Sequence, residues 1–222
     1  LRSGPPYDIR IGRVSLHASE VVAPGPAPAT SGAWSSAGRR RSAGGTGSGR
    51  RGSALEDEVA EIGVVSDTHG LLRSELFGLF EGVDLVLHGG DVGDPAILAS
   101  LEAVAPVEAV WGNVDGWEVR DRTSEVRRGE IAGLGWAVIH GHQVPDYDRL
   151  PHRFPDAGLI VHGHSHVPAA RRVNGALMLN PGSAGPRRFD DPVTAARVVV
   201  REGRPEAAFR DLLTGKPFEP TG

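Results

Sequence analysis

Five times along this chain a short apolar run ends in a glycine-containing polar loop: EIGVVSDTHG, VDLVLHGGDVGD, VEAVWGNVDG, GWAVIHGH and GLIVHGHSH. A brief β-branched and aliphatic run bounded in this way reads as a buried strand feeding a loop. Between the early runs lie segments with helical spacing. RSELFGLF takes Ser74 as its expected N-cap, and PAILASLEAV starts behind Asp94, with Pro95 harmless in the first turn. A short helical stretch is expected around DYDRLPHRF. Beyond the last loop the chain is strand-like. AARRV and ALMLN flank Asn174-Gly175, a dipeptide that favours a tight hairpin, and ARVVVREG and PEAAFRDLL follow. Strand–helix alternation giving way to strands predicts an α/β domain with a large mixed sheet, built as two packed sheets with helices outside. Each polar loop then lies at the carboxyl end of a strand, where such sheets gather their ligands.

The apolar patterning starts only near Glu61. Residues 1–55 are rich in Gly, Pro, Ser and Arg, with eight arginines against Asp8 and Glu20, a net charge of +6. Such a stretch cannot bury enough apolar surface to offset its chain entropy, so it is expected to be a disordered basic tail with no part in fold or chemistry. The only methionine is Met178, and Val59 is a candidate alternative start just ahead of the first strand. The folded domain is expected over residues 56–215, with 216–222 as a short C-terminal tail. With the whole chain at -4, the remainder carries -10, which argues against a broad nucleic-acid-binding face and suits a domain that spends carboxylates on cations. No apolar run is long enough for a membrane span and no compact secretory signal is present, so the expectation is a cytoplasmic protein without a membrane partner.

The chain has no cysteine, which leaves any metal to oxygen and imidazole ligands. The five loops supply both: Asp67-Thr68-His69, Gly90-Asp91, Gly112-Asn113, His140-Gly141-His142 and His164-Ser165-His166. Asp-x-His and His-x-His place two side chains on one side of an extended loop. Carboxylate plus imidazole suits Zn, Mn, Fe and Ni. Asp91 can bridge two cations through its two oxygens, and Asn113 adds a neutral one. Any one of these loops alone would more often be a turn, a cap or a packed histidine. It is the series that indicates a metal centre. His88 is read as packing, and Asn180, Pro181, Gly182 and Ser183 as supports of the site. His142 and His162, beside the ligands, are candidates for binding substrate phosphate or orienting a neighbour.

The order DTHG, GGDVGD, GNVD, HGH, GHSH, followed by NPGSAGPR, resembles the calcineurin-like metallophosphoesterase superfamily. More narrowly it resembles the small YfcE-like phosphodiesterases, which in turn resemble the small retromer subunit. The resemblance spans about residues 61–212. It implies a four-layer αββα sandwich of two mixed β-sheets flanked by helices. It implies two divalent metal ions, usually Mn, with Fe, Zn or Ni also able to occupy the site. Asp67, His69, Asp91 and His166 would hold one ion, and Asp91, Asn113, His140 and His164 the other. Asp67, His69, Asp91 and Asn113 would form the catalytic group. The implied reaction is hydrolysis of a small phosphate ester, most simply a phosphodiester, by in-line attack of a hydroxide bridging the ions. Alternatives are a phosphomonoesterase and a retromer-subunit-like interaction scaffold with a residual metal site. A homo-oligomer is compatible with either. Many superfamily members carry a histidine after the loop asparagine as general acid, whereas here that position is Val114, as is common in YfcE-like chains. The short spacers leave no room for a cap domain, so an open site is expected.

Overall fold

The apolar runs are continuous because both faces of their strands are buried. In the computed structural model, which describes residues 58–220, β1 (Val59–Val65) turns Ile62 and Val64 to one core and Val65 to another. The same alternation holds in β5 (Leu134–Ile139), where Leu134, Trp136 and Val138 face one way and Ala137 and Ile139 the other. The expected tail at residues 1–55 lies outside the described residues.

Two sheets result. The first has the order β11-β10-β9-β1-β2-β3, adding β2 (Leu85–His88), β3 (Val107–Ala109), β9 (Thr194–Arg201), β10 (Arg204–Asp211) and β11 (Pro217–Phe218). β1, β2 and β3 are parallel, and β9 to β11 join antiparallel. The second sheet has the order β4-β5-β6-β8-β7, with β4 (Val126–Ile131), β6 (Leu159–Val161), β7 (Ala169–Val173) and β8 (Ala176–Asn180). Its centre is parallel and its edges, β4 and β7, antiparallel.

Three cores separate four layers. Ile62, Leu87, Trp136, Leu159, Leu179 and Val198 fill the space between the sheets. On the outer face of the first sheet, Val65 and Val86 pack with Leu76 and Phe80 of the α1 region (α1, Glu75–Leu79), Ile97, Leu98 and Leu101 of α2 (Pro95–Glu102) and Val119 of α3 (Trp117–Arg120). On the outer face of the second, Ile139, Ile160 and Met178 meet Leu150 of α4 (Leu150–Arg153) and Phe154. The fold is the αββα sandwich that the sequence implied.

Local signals were met unevenly. Asp94 caps α2, its Oδ1 accepting from the Ala96 N–H at 2.8 Å. Ser74 precedes α1 but makes no capping bond. Its hydroxyl donates to the Glu75 carboxylate instead. The hairpin at Asn174-Gly175 forms with both residues at positive φ, as its residue types favour. The expected C-terminal boundary needs correction, because Pro217–Phe218 pairs with β10 and extends the sheet beyond residue 215.

Candidate metal centre

The strand-end loops converge from both sheets, and backbone bonds lock them together. Asp67, His69 and Gly70 donate their N–H groups to the carbonyls of Gly90, Asp91 and Val92, at 2.9, 2.9 and 2.8 Å. The Gly163 N–H reaches the His140 carbonyl at 3.0 Å, joining the loops after β5 and β6. Glycine is required where loops meet side chains: a Cβ at Gly112 would collide with the Asp91 carboxylate, and one at Gly163 with Ser66 and Asp67.

Five of the seven candidate ligands hold left-handed backbone: Asp67 (φ 55°), His69 (46°), Asp91 (51°), His164 (71°) and His166 (60°). Such backbone is costly for residues with a Cβ, and its concentration in one place marks a site whose geometry is imposed by its surroundings.

The side chains form two overlapping clusters, Asp67–His69–His166 and Asp67–Asp91–His140, whose ligand atoms lie within 4.8 Å of one another in each cluster. His166 Nε2 is 3.2 Å from Asp67 Oδ1, and His69 and His166 point their Nε2 atoms at each other across 3.1 Å. Asp91 Oδ2 lies 3.9 Å from His69 Nε2 and 3.4 Å from His140 Nε2, so it reaches both sides of the centre. Asn113 Oδ1 stands 3.2 Å from His140 Nε2. His164 is brought alongside, its ring centroid 5.3 Å from that of His140, but it joins neither cluster of ligand atoms. Asp67 is thus common to both clusters, and Asp91, expected from the sequence to bridge two cations, comes within 4 Å of a histidine in each.

These groups fit divalent cations. Asp67 is fully buried, and its Oδ2 accepts from the Ser66 hydroxyl (2.6 Å) and the His164 N–H (3.2 Å), while Oδ1 is buried with no hydrogen-bond partner among the described residues. A buried carboxylate oxygen with no donor is stabilised by a cation, or by a proton on the imidazole of His166 that faces it at 3.2 Å. Facing imidazole nitrogens have the same need. His140 Nδ1 lies 2.8 Å from the Gly89 carbonyl, which can only accept, so the neutral ring keeps its proton there and turns the Nε2 lone pair to the centre.

Electrostatics follow the same division. Burial works against the Asp91 carboxylate, but hydrogen bonding and charge from His140, with the Val114 N–H at 3.1 Å, outweigh it and hold its pKa at about 2. Burial likewise works against a charged His140, yet its contact with Asp91 and the charges of Asp67 and Asp91 raise its pKa. Burial is the main reason that His69 is lowered.

The other histidines separate into distinct surroundings. His88 is buried, with Thr68 Oγ1 3.0 Å from Nε2 and the Gly90 N–H donating to Nδ1 at 3.2 Å, and burial lowers its pKa to about 4. It packs as expected. His162 is stacked on Tyr147 at 4.4 Å, and burial lowers it also to about 4, which supports packing rather than substrate contact. His142 remains near the ligands, between His140 (5.4 Å) and Trp111 (5.3 Å), and Arg120 lies over the far partner, Trp111. Its Nδ1 is buried with no hydrogen-bond partner among the described residues. Asn113, Val114 and His164 are exposed, so the centre opens to solvent on that side.

Residues 180–185 support the loops. The Asn180 amide donates to the Gly163 carbonyl (3.0 Å) and Ser165 Oγ (2.9 Å), and Ser183 Oγ donates to the Asp67 carbonyl (2.9 Å). Asp115 has a comparable role that sequence reading did not assign, although it stands in the GNVD motif. It is buried, and its carboxylate accepts from the N–H groups of Val92 (3.1 Å), Gly93 (2.8 Å) and Gly112 (2.8 Å). Asp115→Ala leaves these donors without an acceptor. The expected loss is about 2–4 kcal/mol, and a thermal melt should fall by roughly 5–15 °C. An unchanged melt would remove Asp115 from the scaffold of the site.

The model of the calcineurin-like phosphoesterase superfamily domain matches residues 61–203, the stretch that holds every loop of the centre. The chain belongs to the calcineurin-like phosphoesterase superfamily. Within that superfamily it is 35% identical over 165 residues to a probable metallophosphoesterase of Methanothermobacter thermautotrophicus, covering 70% of this chain and 94% of the relative. Among solved structures, the YfcE phosphoesterase of E. coli superposes with a TM-score of 0.53 at 19% identity, over 72% of this chain and 98% of that one. Vps29 of Entamoeba histolytica, complexed with Zn²⁺, gives 0.60 at 24% identity, over 71% and 96%. Both structural likenesses concern the fold. Among the described residues, no helix is long and apolar enough to cross a membrane.

Proposed function

We propose that this phosphoesterase-superfamily member is a phosphodiesterase working with two divalent ions, manganese by preference, held by Asp67, His69, Asp91, Asn113, His140, His164 and His166. The observation that carries this reading is the pair of overlapping ligand clusters around Asp67, with one carboxylate oxygen buried and without a hydrogen-bond partner among the described residues. An oxygen and imidazole donor set with no sulfur suits manganese. Bound there, such ions supply Lewis acidity, neutralising phosphoryl charge and making water a competent nucleophile near neutral pH.

The chain's own groups do the rest. Asp67 and Asp91 carry the negative charge that holds cations, and Asp91 stays ionised because His140 and the Val114 N–H stabilise it. His140 is fixed by the Gly89 carbonyl with its lone pair inward. The exposed rim at Asn113, Val114 and His164 admits a phosphorus with two ester arms, which favours diesters over a closed monoester pocket. Val114 cannot donate a proton, so the leaving group must depart without the help that a histidine there would give.

A Mn-loaded preparation tested on paired aryl diesters and aryl monoesters should hydrolyse the diesters faster. Faster monoester turnover would point to a phosphomonoesterase. A scaffold reading has one specific support, the Vps29 structure that holds Zn²⁺. Metal binding alone therefore does not separate enzyme from scaffold. Absence of turnover on both ester classes with the metals bound would favour the scaffold.

A further inference from the structure

The segment after NPGSAG carries two adjacent arginines, and the structure treats them differently. Arg187 pairs with Asp190 at 3.9 Å. Arg188 is exposed, but one of its terminal nitrogens (Nη2) lies 3.4 Å from His69 Nε2, an atom of the ligand cluster. No carboxylate among the described residues forms an ion pair with Arg188. A guanidinium thus stands at the edge of the metal centre without a direct carboxylate partner, the oxygens of Asp67 and Asp91 lying 4.0 and 3.9 Å from the same His69 Nε2.

Its position is built rather than incidental. The Ala184 N–H donates to the Ser66 carbonyl at 3.0 Å, and Ser183 Oγ to the Asp67 carbonyl at 2.9 Å. On the other side the Thr194 N–H returns to the Ser183 carbonyl at 3.0 Å, and the Asp191 N–H closes a turn on the Arg188 carbonyl at 3.0 Å. Both feet of the loop are therefore fixed to the strand end that bears Asp67. The backbone that carries Arg188 is thereby anchored at both ends, which lowers the cost of ordering it around a ligand.

The contact with His69 is incompatible with a cation on His69 Nε2. A metal would use the lone pair that now faces Arg188 and would set two positive groups against each other. An anion between them resolves both problems. The guanidinium offers planar N–H pairs that match phosphoryl oxygens, and such charge-assisted bonds are stronger than neutral ones.

We propose that Arg188 is a phosphate-binding residue of this centre, gripping a non-bridging oxygen of the substrate's phosphoryl group opposite the metal ligands. This rests on the phosphoesterase reading above, but its test does not need turnover. Full-length protein loaded with Mn is titrated with inorganic phosphate by calorimetry, alongside metal analysis. Arg188→Ala should weaken phosphate binding by about 10–100-fold with metal content unchanged. Arg188→Lys should recover part of the affinity, because it restores charge without the planar fork. Arg187→Ala should bind phosphate as wild type does. Where wild type hydrolyses diesters, Arg188→Ala should also raise KM and the inhibition constant for phosphate.

Unchanged phosphate affinity in Arg188→Ala would overturn the proposal, as would failure of wild type to bind phosphate at all. Equal weakening in Arg187→Ala would reduce the effect to general surface charge and also overturn it. Loss of metal in Arg188→Ala would make the residue a support for His69 rather than a phosphate ligand. If wild type binds phosphate through Arg188 yet hydrolyses nothing, the phosphodiesterase reading fails and this one stands.

Discussion

Asp91→Asn should lower kcat/KM by at least about 10²–10³-fold, the scale seen when a charge-stabilising group is taken from a preorganised site. The substitution is nearly isosteric, and asparagine tolerates the left-handed backbone that position 91 adopts at φ 51°. The fold should therefore survive, and the loss can be assigned to charge. Asp91 lies within 4 Å of both His69 Nε2 and His140 Nε2, so its neutralisation should disturb both ions. His166 belongs only to the cluster with Asp67 and His69, so His166→Ala should mainly weaken one. Metal analysis after reconstitution with excess Mn should find about two equivalents in wild type. A wild type that saturates at one ion, or an Asp91→Asn protein that keeps full metal and full turnover, would sink the two-ion reading.

The second large effect concerns the leaving group. Val114 is exposed, and its N–H bonds Asp91 Oδ1, so its side chain stands beside the centre where a general acid would be useful. Losing general-acid assistance is typically worth about 10²–10⁴-fold, and the loss falls on basic leaving groups because an aryloxide departs without a proton. Aryl phosphodiesters should therefore turn over faster than alkyl ones by about that factor, with a steep dependence on leaving-group pKa. Activity should rise with pH as His140, whose pKa is raised against burial by its contact with Asp91 and the charge of Asp67, loses its proton and can hold metal, then level off without a falling limb. Val114→His should help alkyl diesters selectively. A flat leaving-group series with a clear falling limb would mean that another residue is the acid. His142 is then the first to replace, since it lies 5.4 Å from His140, whereas His162 is buried against Tyr147.

The parts of this molecule that could be read from sequence are those where one physical demand acts locally. Strands buried on both faces must be apolar throughout, so β1, β2, β5, β6 and β8 were legible. β4 was not, because VRRGEI is a half-exposed edge strand whose charges reflect its solvent-facing side. α3 is too short to show a period. The five loops were legible because ligand chemistry restricts residue type, and the structure brings the loops together. Which carboxylate stands at the centre was less so. The sequence marks Asp91 as the bridge, and only the folded packing shows that Asp67 also stands in both clusters, beside His166 on one side and Asp91 and His140 on the other. Asp115 and Arg188 escaped for a related reason. Each acts across a distance in sequence, Asp115 on the N–H groups of Val92 and Gly93 and Arg188 on His69, so no short motif announces the pairing. NPGSAGPR ends one residue short of Arg188, at Arg187, so the motif itself does not single out the arginine that reaches His69.

Left-handed backbone at Asp67, His69, Asp91, His164 and His166 also bears on how such a site could decay. Each conformation costs about 1 kcal/mol or more for a residue with a Cβ, less for aspartate and histidine than for most, and glycine escapes the steric part. In a lineage released from the need for metal, replacing the three histidines among them by glycine or asparagine would relieve this cost, whereas Asp67 and Asp91 also accept buried hydrogen bonds that glycine would leave unmade. Drift would therefore erase the histidines early and leave the sandwich standing. The centre's retention is opposed by the chain's own stability, and a fossil of this fold should be recognisable by turns that have become easier to make.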